Sequence, residues 1–261
     1  MIIDMHTHAW PDKVAERARE HLESLFQHKM VGMPTLNTLD KFMLKNHIDT
    51  SVICAVATKP QQVPSINDWL FGIKSRRYRV FCSMHPDYPQ WENELNRIRV
   101  NGDGVKLQPE FQGFYADDQK AFPMYQVMEE LEIPVLFHCG EELSGTMLVR
   151  SSGKRIINIK KAFPKLKIIA AHFGGFKLWE EAEKYLVGED IYLDTSFFFG
   201  FLPDQKVRDL LFSHRPDRLL FGTDFPLVDQ AQDLEYLARL GLPQILHERI
   251  LYKNAENLLG S

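Results

Sequence analysis

Eight short runs of apolar, β-branched or aromatic residues recur along the 261-residue chain, and segments with helical periodicity separate most of them. This alternation constrains the fold more than any other feature, because repeated strand–helix units are typical of a parallel sheet. Eight such units in a chain of this length predict an α/β fold of the (β/α)8 TIM-barrel type. A doubly wound sheet is the alternative, but no glycine-rich turn follows the first run.

The boundaries of these elements follow from the points where the periodicity changes. The predicted strands are Ile2–His8, Ser51–Val56, Val80–His85, Gly104–Leu107, Pro134–Cys139, Lys167–Phe173, Ile191–Ser196 and Leu219–Phe225. The predicted helices are Asp12–His28, Leu36–Asn46, Gln90–Val100, Asp118–Leu131, Lys154–Phe163, Lys177–Val187, Asp204–His214, Gln230–Leu240 and Pro243–Leu259.

The composition is that of an ordinary globular protein, with 44% hydrophobic and 25% charged residues. We expect one domain over residues 1–261, because α/β barrels reach this length as a single unit. The net charge of −4 offers no basic surface for nucleic acid or an anionic membrane. The expected partner is a small-molecule substrate, and assembly into a homo-oligomer is left open.

The cysteines and the first residues bear on the cellular compartment. Cys54, Cys82 and Cys139 lie in apolar contexts, and their odd number argues against a disulfide scaffold. The first apolar residues include Asp4 and His6, which the apolar core of a signal peptide would not contain. No apolar run is long enough to span a bilayer. These features predict a cytoplasmic protein in a reducing environment.

Polar and ionisable side chains lie at the C-terminal ends of all but one of the predicted strands. They are His6, His8, His85, Lys106, Gln108, His138, His172, Asp194, Ser196 and Asp224. In a (β/α)8 barrel these ends converge on one mouth. Burying so many such groups is costly unless they pair with one another or bind a metal. Imidazole nitrogens with a carboxylate suit zinc, manganese, iron or nickel better than calcium or magnesium.

Motifs at these strand ends resemble those of the amidohydrolase superfamily. They are Asp-Met-His-Thr-His (residues 4–8), Val-Leu-Phe-His-Cys-Gly (135–140), Ala-Ala-His-Phe-Gly-Gly (170–175) and Phe-Gly-Thr-Asp-Phe-Pro (221–226). The segment Gly104–Tyr115 and the late Asn254-Ala-x-x-Leu are similar to the branch that includes aminocarboxymuconate-semialdehyde and resorcylate decarboxylases. The resemblance extends from the first strand to the final helix and implies the barrel fold and metal dependence.

The resemblance also implies a ligand set. His6, His8, His138 and Asp224 would bind one divalent transition metal, with zinc preferred and manganese, iron or nickel as alternatives. His172 would lie near the metal as a polariser or proton carrier. In two-metal members of the superfamily a carbamylated lysine from the fourth strand bridges the metals, so a binuclear site with carbamylated Lys106 is the alternative.

The leading functional hypothesis is a metal-dependent hydrolase of a small amide, ester or lactone. A metal-activated water would attack the carbonyl, Asp224 would accept its proton, and His172 would stabilise the developing negative charge. The alternative is metal-dependent non-oxidative decarboxylation of an unsaturated or aromatic acid, with proton delivery by Asp224 or His172. A second alternative is a barrel that binds metal or ligand without turnover.

Three residues are predicted to contact substrate: Lys106, His85 and Phe197. Lys106 and Arg150 are candidate cations for a departing carboxylate. Phe197 begins the aromatic segment Phe197–Phe201, which is predicted to form either a lid over the pocket or an interface between copies. Asp4 is predicted either to support His6 or to have a structural role.

Overall fold

The strands form a single parallel sheet in which each pairs with the next in chain order, from the first to the eighth. The computed structural model describes residues 1–145 and 148–260. The strands are β1 (Ile3–Thr7), β2 (Thr50–Cys54), β3 (Tyr78–Ser83), β4 (Gly104–Leu107), β5 (Val135–Phe137), β6 (Ile168–Ala170), β7 (Tyr192–Asp194) and β8 (Leu219–Leu220).

The last strand returns to the first. The Met5 N–H donates to the carbonyl oxygen of Phe221 at 2.9 Å, and Thr7 forms a parallel bridge with Phe225. Closer to the mouth, the His8 N–H donates to the carbonyl oxygen of Phe225 at 2.7 Å. The sheet is therefore nearly closed, and the predicted (β/α)8 barrel is confirmed.

Helices follow the strands and pack around the sheet. Among the described residues they are α1 (Asp12–Phe26), α2 (Leu36–Lys45), α3 (Val63–Ile73), α4 (Trp91–Asn101), α5 (Pro109–Gln112), α6 (Phe122–Glu130), α7 (Gly153–Ala162), α8 (Trp179–Tyr185), α9 (Asp204–Ser213), α10 (Gln230–Arg239), α11 (Gln244–Glu248) and α12 (Asn254–Leu259). A π-helical segment, Arg249–Lys253, joins α11 to α12, so the predicted Pro243–Leu259 helix is interrupted.

Helix α3 is absent from the sequence prediction. Its buried residues, Val63, Asn67 and Leu70, have helical spacing. Pro64 and Gly72 obscured that pattern, although Pro is well tolerated in the first turn of a helix. Helix α3 lies between β2 and β3 and so completes the strand–helix alternation.

Several strands end earlier than predicted because the backbone turns at the polar residues. The predicted eighth strand reaches Phe225, but β8 ends at Leu220. Asp224 has a φ of 63° and His172 has a φ of 59°, in the left-handed region. Asp and His enter this region more readily than most other residues. Both side chains are therefore presented from turns that follow strands, a backbone state often found at functional sites.

The barrel interior is filled below the mouth. A buried cluster contains Met5, Val52, Phe81, Leu136, Ile169 and Leu220. These side chains come from six different strands, so they can meet only inside the ring. A Cβ on Gly104 would lie 2.7 Å from the Phe81 ring, which explains why this position needs glycine. No helix in the described part of the chain is long and apolar enough to cross a membrane.

Candidate metal centre and active site

A cavity of about 590 Å³ opens where the strands end at their carboxyl termini. Its polar lining includes His6, His8, Lys106, Gln108, His138, Glu142, His172 and Asp224. Its aromatic lining includes Trp10, Phe26, Trp69, Phe111, Phe176 and Phe197. The structure therefore brings every predicted site residue except His85 to one cavity.

Three of the predicted metal ligands converge. His8 Nε2 lies 2.8 Å from Asp224 Oδ1, and His6 Nε2 lies 3.6 Å from the same oxygen. The candidate ligand atoms of these three residues all lie within 4.8 Å of one another. Asp224 Oδ1 is buried and accepts no hydrogen bond within the described chain. Its contact with His8 Nε2 lacks hydrogen-bond geometry, so a cation at this position would compensate the buried negative charge.

His138 lies at the same cavity but has other neighbours. Its Nδ1 is 3.0 Å from His172 Nε2, and its Nε2 is 3.4 Å from Glu142 Oε1. That Nε2 is buried and has no hydrogen-bond partner among the described residues. His138 forms a second cluster of potential ligands with Glu110 and Glu142, separate from the His6, His8 and Asp224 group.

Asp194 and Ser196 connect two of the histidines, and the sequence assigned neither a role. Asp194 Oδ2 lies 3.0 Å from His6 Nδ1, and Asp194 Oδ1 accepts from the backbone N–H of His172 at 3.0 Å. Ser196 Oγ lies 2.9 Å from His172 Nδ1. Burial alone would raise the pKa of Asp194, but the interactions with His6 outweigh it and lower that pKa to about 2. The only sequence signal of their role was their position at the end of the predicted seventh strand.

His172 has no ring nitrogen left for a substrate. Its Nε2 faces His138, and its Nδ1 faces both the hydroxyl and the carbonyl oxygen of Ser196. This geometry favours a role in holding His138 over the predicted roles of polariser or proton carrier.

Lys106 is buried, with 1% of its surface exposed, and its Nζ lies 3.0 Å from His6 Nε2. It is the cation that the sequence placed near the metal ligands. An unmodified lysine is cationic and repels a metal ion, so in this form it is a neighbour of the ligands and not one of them.

The protonation states at this site suit metal binding. Burial, and then the charge of Lys106, lowers the pKa of His6. Burial likewise lowers the pKa of His138 and, together with the neighbouring histidines, lowers that of His172 well below its usual value. Burial would raise the pKa of Asp224, but His6 and His8 hold it well below its usual range. Neutral imidazoles and an ionised carboxylate are the forms that bind metals.

Asp4 supports the loop that carries Asp224. Its carboxylate accepts from Thr223 Oγ at 2.7 Å and from Gln230 Nε2 at 2.8 Å. Burial raises the pKa of Asp4 to about 7. Its only bond to His6 is to the backbone N–H, because the β1 register shifts between Asp4 and Thr7. These contacts favour a structural role for Asp4, and Asp194, not Asp4, faces the His6 ring.

His85 and Phe197 have different surroundings. His85 is buried outside the cavity lining, and its Nδ1 accepts from the Asp87 N–H at 3.1 Å. Strand β3 ends at Ser83, so strand alternation does not direct His85 inward. Phe197 packs against Phe176, with ring centroids 5.6 Å apart, and forms part of the cavity wall.

The residues present fit a divalent transition metal. The first piece of evidence is the donor set, in which two histidines and one carboxylate lie close together. The second is that two buried atoms, Asp224 Oδ1 and His138 Nε2, have no hydrogen-bond partner among the described residues. The donors lie on β1 or on turns that follow strands, at the open end of a (β/α)8 barrel, where enzymes of this fold have their active sites.

The sequence profile of the amidohydrolase family matches residues 3–261, and the chain belongs to this family of enzymes. No curated protein matches the chain.

Solved structures share the fold at low sequence identity. A putative amidohydrolase from Staphylococcus aureus is 18% identical, with a TM-score of 0.75 over 100% of this chain and 99% of that chain. The 2,6-dihydroxybenzoate decarboxylase from Rhizobium is 16% identical, with a TM-score of 0.74 over 99% and 98%. A dihydroxybenzoic acid decarboxylase from Polaromonas sp. JS666, with bound manganese and the inhibitor 2-nitroresorcinol, is 17% identical, with a TM-score of 0.73 over 99% and 96%.

Proposed function

We propose that this enzyme is a metal-dependent, non-oxidative decarboxylase of a hydroxy-substituted aromatic acid. The observation that carries the proposal is one buried cation, Lys106, beside the metal ligands at the base of a cavity with aromatic walls. The fold similarity to two dihydroxybenzoate decarboxylases supports it. The hydrolase expectation uses the same polar residues but does not account for the buried cation or the aromatic walls.

The cavity suits a flat, anionic substrate. Trp10, Phe111, Phe176 and Phe197 present ring surfaces to it, and aromatic rings pack favourably against one another. Lys106 offers a charge-assisted hydrogen bond to a carboxylate, which is stronger when buried away from water. A small aromatic acid satisfies both kinds of surface at once.

We propose one metal ion, held by His6, His8, Asp224 and His138. When bound, it supplies positive charge that polarises an oxygen of the substrate. Manganese becomes the first metal to test, beside the zinc expected from sequence, because the Polaromonas decarboxylase binds manganese. The binuclear alternative requires carbamylation of Lys106, whose Nζ lies 3.0 Å from His6 Nε2, and metal content distinguishes it from the single-metal site.

Asp224 is the residue that we assign to proton transfer. The reaction adds a proton to the ring carbon that bears the carboxylate, and the carbon–carbon bond then breaks. Its electron pair restores the aromatic ring, carbon dioxide leaves, and solvent supplies the net proton. Asp224 borders the cavity, and its carboxylate has a second oxygen besides the Oδ1 that would face the metal, so it can accept a proton and pass it to the carbon.

The test uses protein loaded with manganese or zinc and a panel of dihydroxybenzoates and carboxyvanillate. We expect release of carbon dioxide and, in deuterated water, one deuterium at the ring carbon that lost the carboxylate, as seen by NMR. The same protein is assayed with aryl esters, lactones and amides. Hydrolysis of these compounds without release of carbon dioxide from the acids would overturn the proposal in favour of the hydrolase.

A further inference from the structure

The histidines at the base of the cavity belong to a hydrogen-bond network that ends on one buried carboxylate. Asp194 is fully buried and accepts from the Ser196 hydroxyl, the Ser196 N–H and the His172 N–H through Oδ1. Its Oδ2 faces His6 Nδ1 at 3.0 Å. Because an ionised carboxylate only accepts hydrogen bonds, the proton in each of these contacts belongs to the partner.

This rule fixes the tautomer of His6. Its Nδ1 must carry the proton that Asp194 accepts, so in the neutral ring Nε2 has the lone pair. That Nε2 faces Asp224 at 3.6 Å and Lys106 at 3.0 Å. An ammonium group at Lys106 can donate to this lone pair, which agrees with the assignment.

The same reasoning reaches His172 and then His138. The Ser196 carbonyl oxygen, 3.2 Å from His172 Nδ1, can only accept, and the Ser196 hydroxyl gives its single proton to Asp194. His172 Nδ1 therefore carries a proton, and its Nε2 accepts from His138 Nδ1 at 3.0 Å. The lone pair of His138 is left on Nε2, the buried atom that lacks a hydrogen-bond partner among the described residues.

His8 is independent of this network. Its Nδ1 lies 2.8 Å from the carbonyl oxygen of Cys54, which holds the proton on Nδ1 without any contribution from Asp194. The tautomer of His8 should therefore not change when Asp194 is replaced, so His8 is an internal control within the same site.

We propose that Asp194 is the positioning residue of the metal centre: it holds His6 directly, and His138 through Ser196 and His172, in the tautomer that places the lone pair on Nε2, the atom that would bind metal. The inference rests on the metal ligands named under the proposed function but not on the reaction. A partner that orients a ligating histidine typically affects metal affinity about 10–100-fold.

Asp194→Asn keeps the shape of the side chain at position 194 but changes the group that faces His6 Nδ1. The amide oxygen can keep the three bonds now made by Oδ1, which turns the NH2 group toward His6 Nδ1. That group donates, so Nδ1 must accept and the His6 proton moves to Nε2, where it blocks metal binding. His8 keeps its tautomer because Cys54 is untouched.

The first measurement is long-range 1H–15N NMR of histidine-labelled protein without metal. We expect protons on Nδ1 of His6, His8, His138 and His172 in the wild type, and a proton on Nε2 of His6 alone in Asp194→Asn. The second is calorimetric titration with manganese and with zinc, in which Asp194→Asn should bind about 10–100-fold more weakly. Asp233→Asn is the matched control, since Asp233 is also a buried carboxylate but forms no hydrogen bond with these histidines.

The wild-type NMR spectrum keeps the inference testable if Asp194→Asn does not fold, because His6 must carry its proton on Nδ1. Ser196→Ala adds a second comparison where both variants fold. The carbonyl oxygen of residue 196 still holds His172, so metal affinity should fall less than in Asp194→Asn. A wild-type His6 protonated on Nε2, or an Asp194→Asn protein whose metal affinity stays within about twofold, would overturn the proposal. Neither measurement involves a substrate, so loss of the decarboxylase hypothesis would leave this result standing.

Discussion

The cavity has two regions that are built differently. We call the first the floor: His6, His8, Lys106, His138, His172 and Asp224. We call the second the wall: Trp10, Phe26, Phe111, Phe176 and Phe197. The floor residues lie on strands or on the turns directly after them, whereas the wall residues come from α1, α5 and the loops beyond the strands.

The difference lies in what holds each side chain. The floor is held by directional contacts, such as the 2.8 Å contact between His8 Nδ1 and the carbonyl oxygen of Cys54, so its geometry depends on single atoms. The wall is held by ring packing, such as the 5.6 Å contact between Phe176 and Phe197, which tolerates exchange of one apolar group for another. We therefore expect the floor to determine the chemistry and the wall to select the substrate.

The largest effect is expected at the floor residue that carries the proton. Asp224→Asn should lower kcat about 10²–10⁴-fold, because the amide keeps the size and one oxygen but cannot carry a proton. Asn also tolerates the left-handed backbone at this position, where φ is 63°. Steady-state kinetics and elemental analysis check this, with the exposed Asp209→Asn as the control. A near-normal kcat with metal retained would show that Asp224 does not transfer the proton.

The next effect separates the cation of the floor from its metal ligands. Lys106→Met should lower kcat/KM about 10–100-fold, since a charged hydrogen bond contributes about 1.5–3 kcal/mol. Metal content should not fall, because an unmodified lysine is not a ligand. Elemental analysis that finds two metal equivalents in the wild type and fewer in Lys106→Met would instead support the carbamylated, binuclear site.

A smaller effect is expected at the wall. Phe197→Leu should raise KM about 2–10-fold, which matches the 0.5–1.5 kcal/mol typical of an aromatic pair, and should leave kcat and metal affinity unchanged. Phe212→Leu on α9, a half-exposed phenylalanine outside the cavity, is the matched control. A fall in kcat with constant KM would show that the wall also takes part in the chemistry.

The smallest effect is expected at His85, the predicted contact that lies outside the cavity lining. His85→Asn should change kcat/KM less than about twofold, because the Asn oxygen can still accept from the Asp87 N–H. A thermal unfolding scan recorded beside the kinetics separates any packing effect from an effect on substrate. A tenfold rise in KM at unchanged melting temperature would show that His85 contributes to substrate binding.

Sequence periodicity was sufficient for the barrel because strands and helices differ in repeat, and strand-end residues could be located from the same pattern. Strand β4, Gly104–Leu107, has the predicted bounds. Side-chain direction could not be predicted where the backbone leaves the strand, as at His85, because alternation no longer applies beyond the end of β3.

The support given by Asp194 was also beyond the sequence. The His6 ring is held by a residue 188 positions away, and a rule based on local spacing selects Asp4 instead. Only the tertiary structure shows that Asp4 belongs to the Thr223 and Gln230 cluster. Long-range pairing of polar groups depends on the packing of the whole barrel, which no window of residues contains.

The seam between β1 and β8 has a consequence for biosynthesis. His6 and His8 belong to the first strand, and Asp224 follows the last, so the converging ligands are joined only when the Thr7–Phe225 bridge forms. A growing chain exposes two histidines well before their carboxylate partner is synthesised. Because contacts between distant residues form slowly, metal uptake should be a late event, after the ring has closed. Metal content of freshly made protein would therefore report how many chains have completed the barrel.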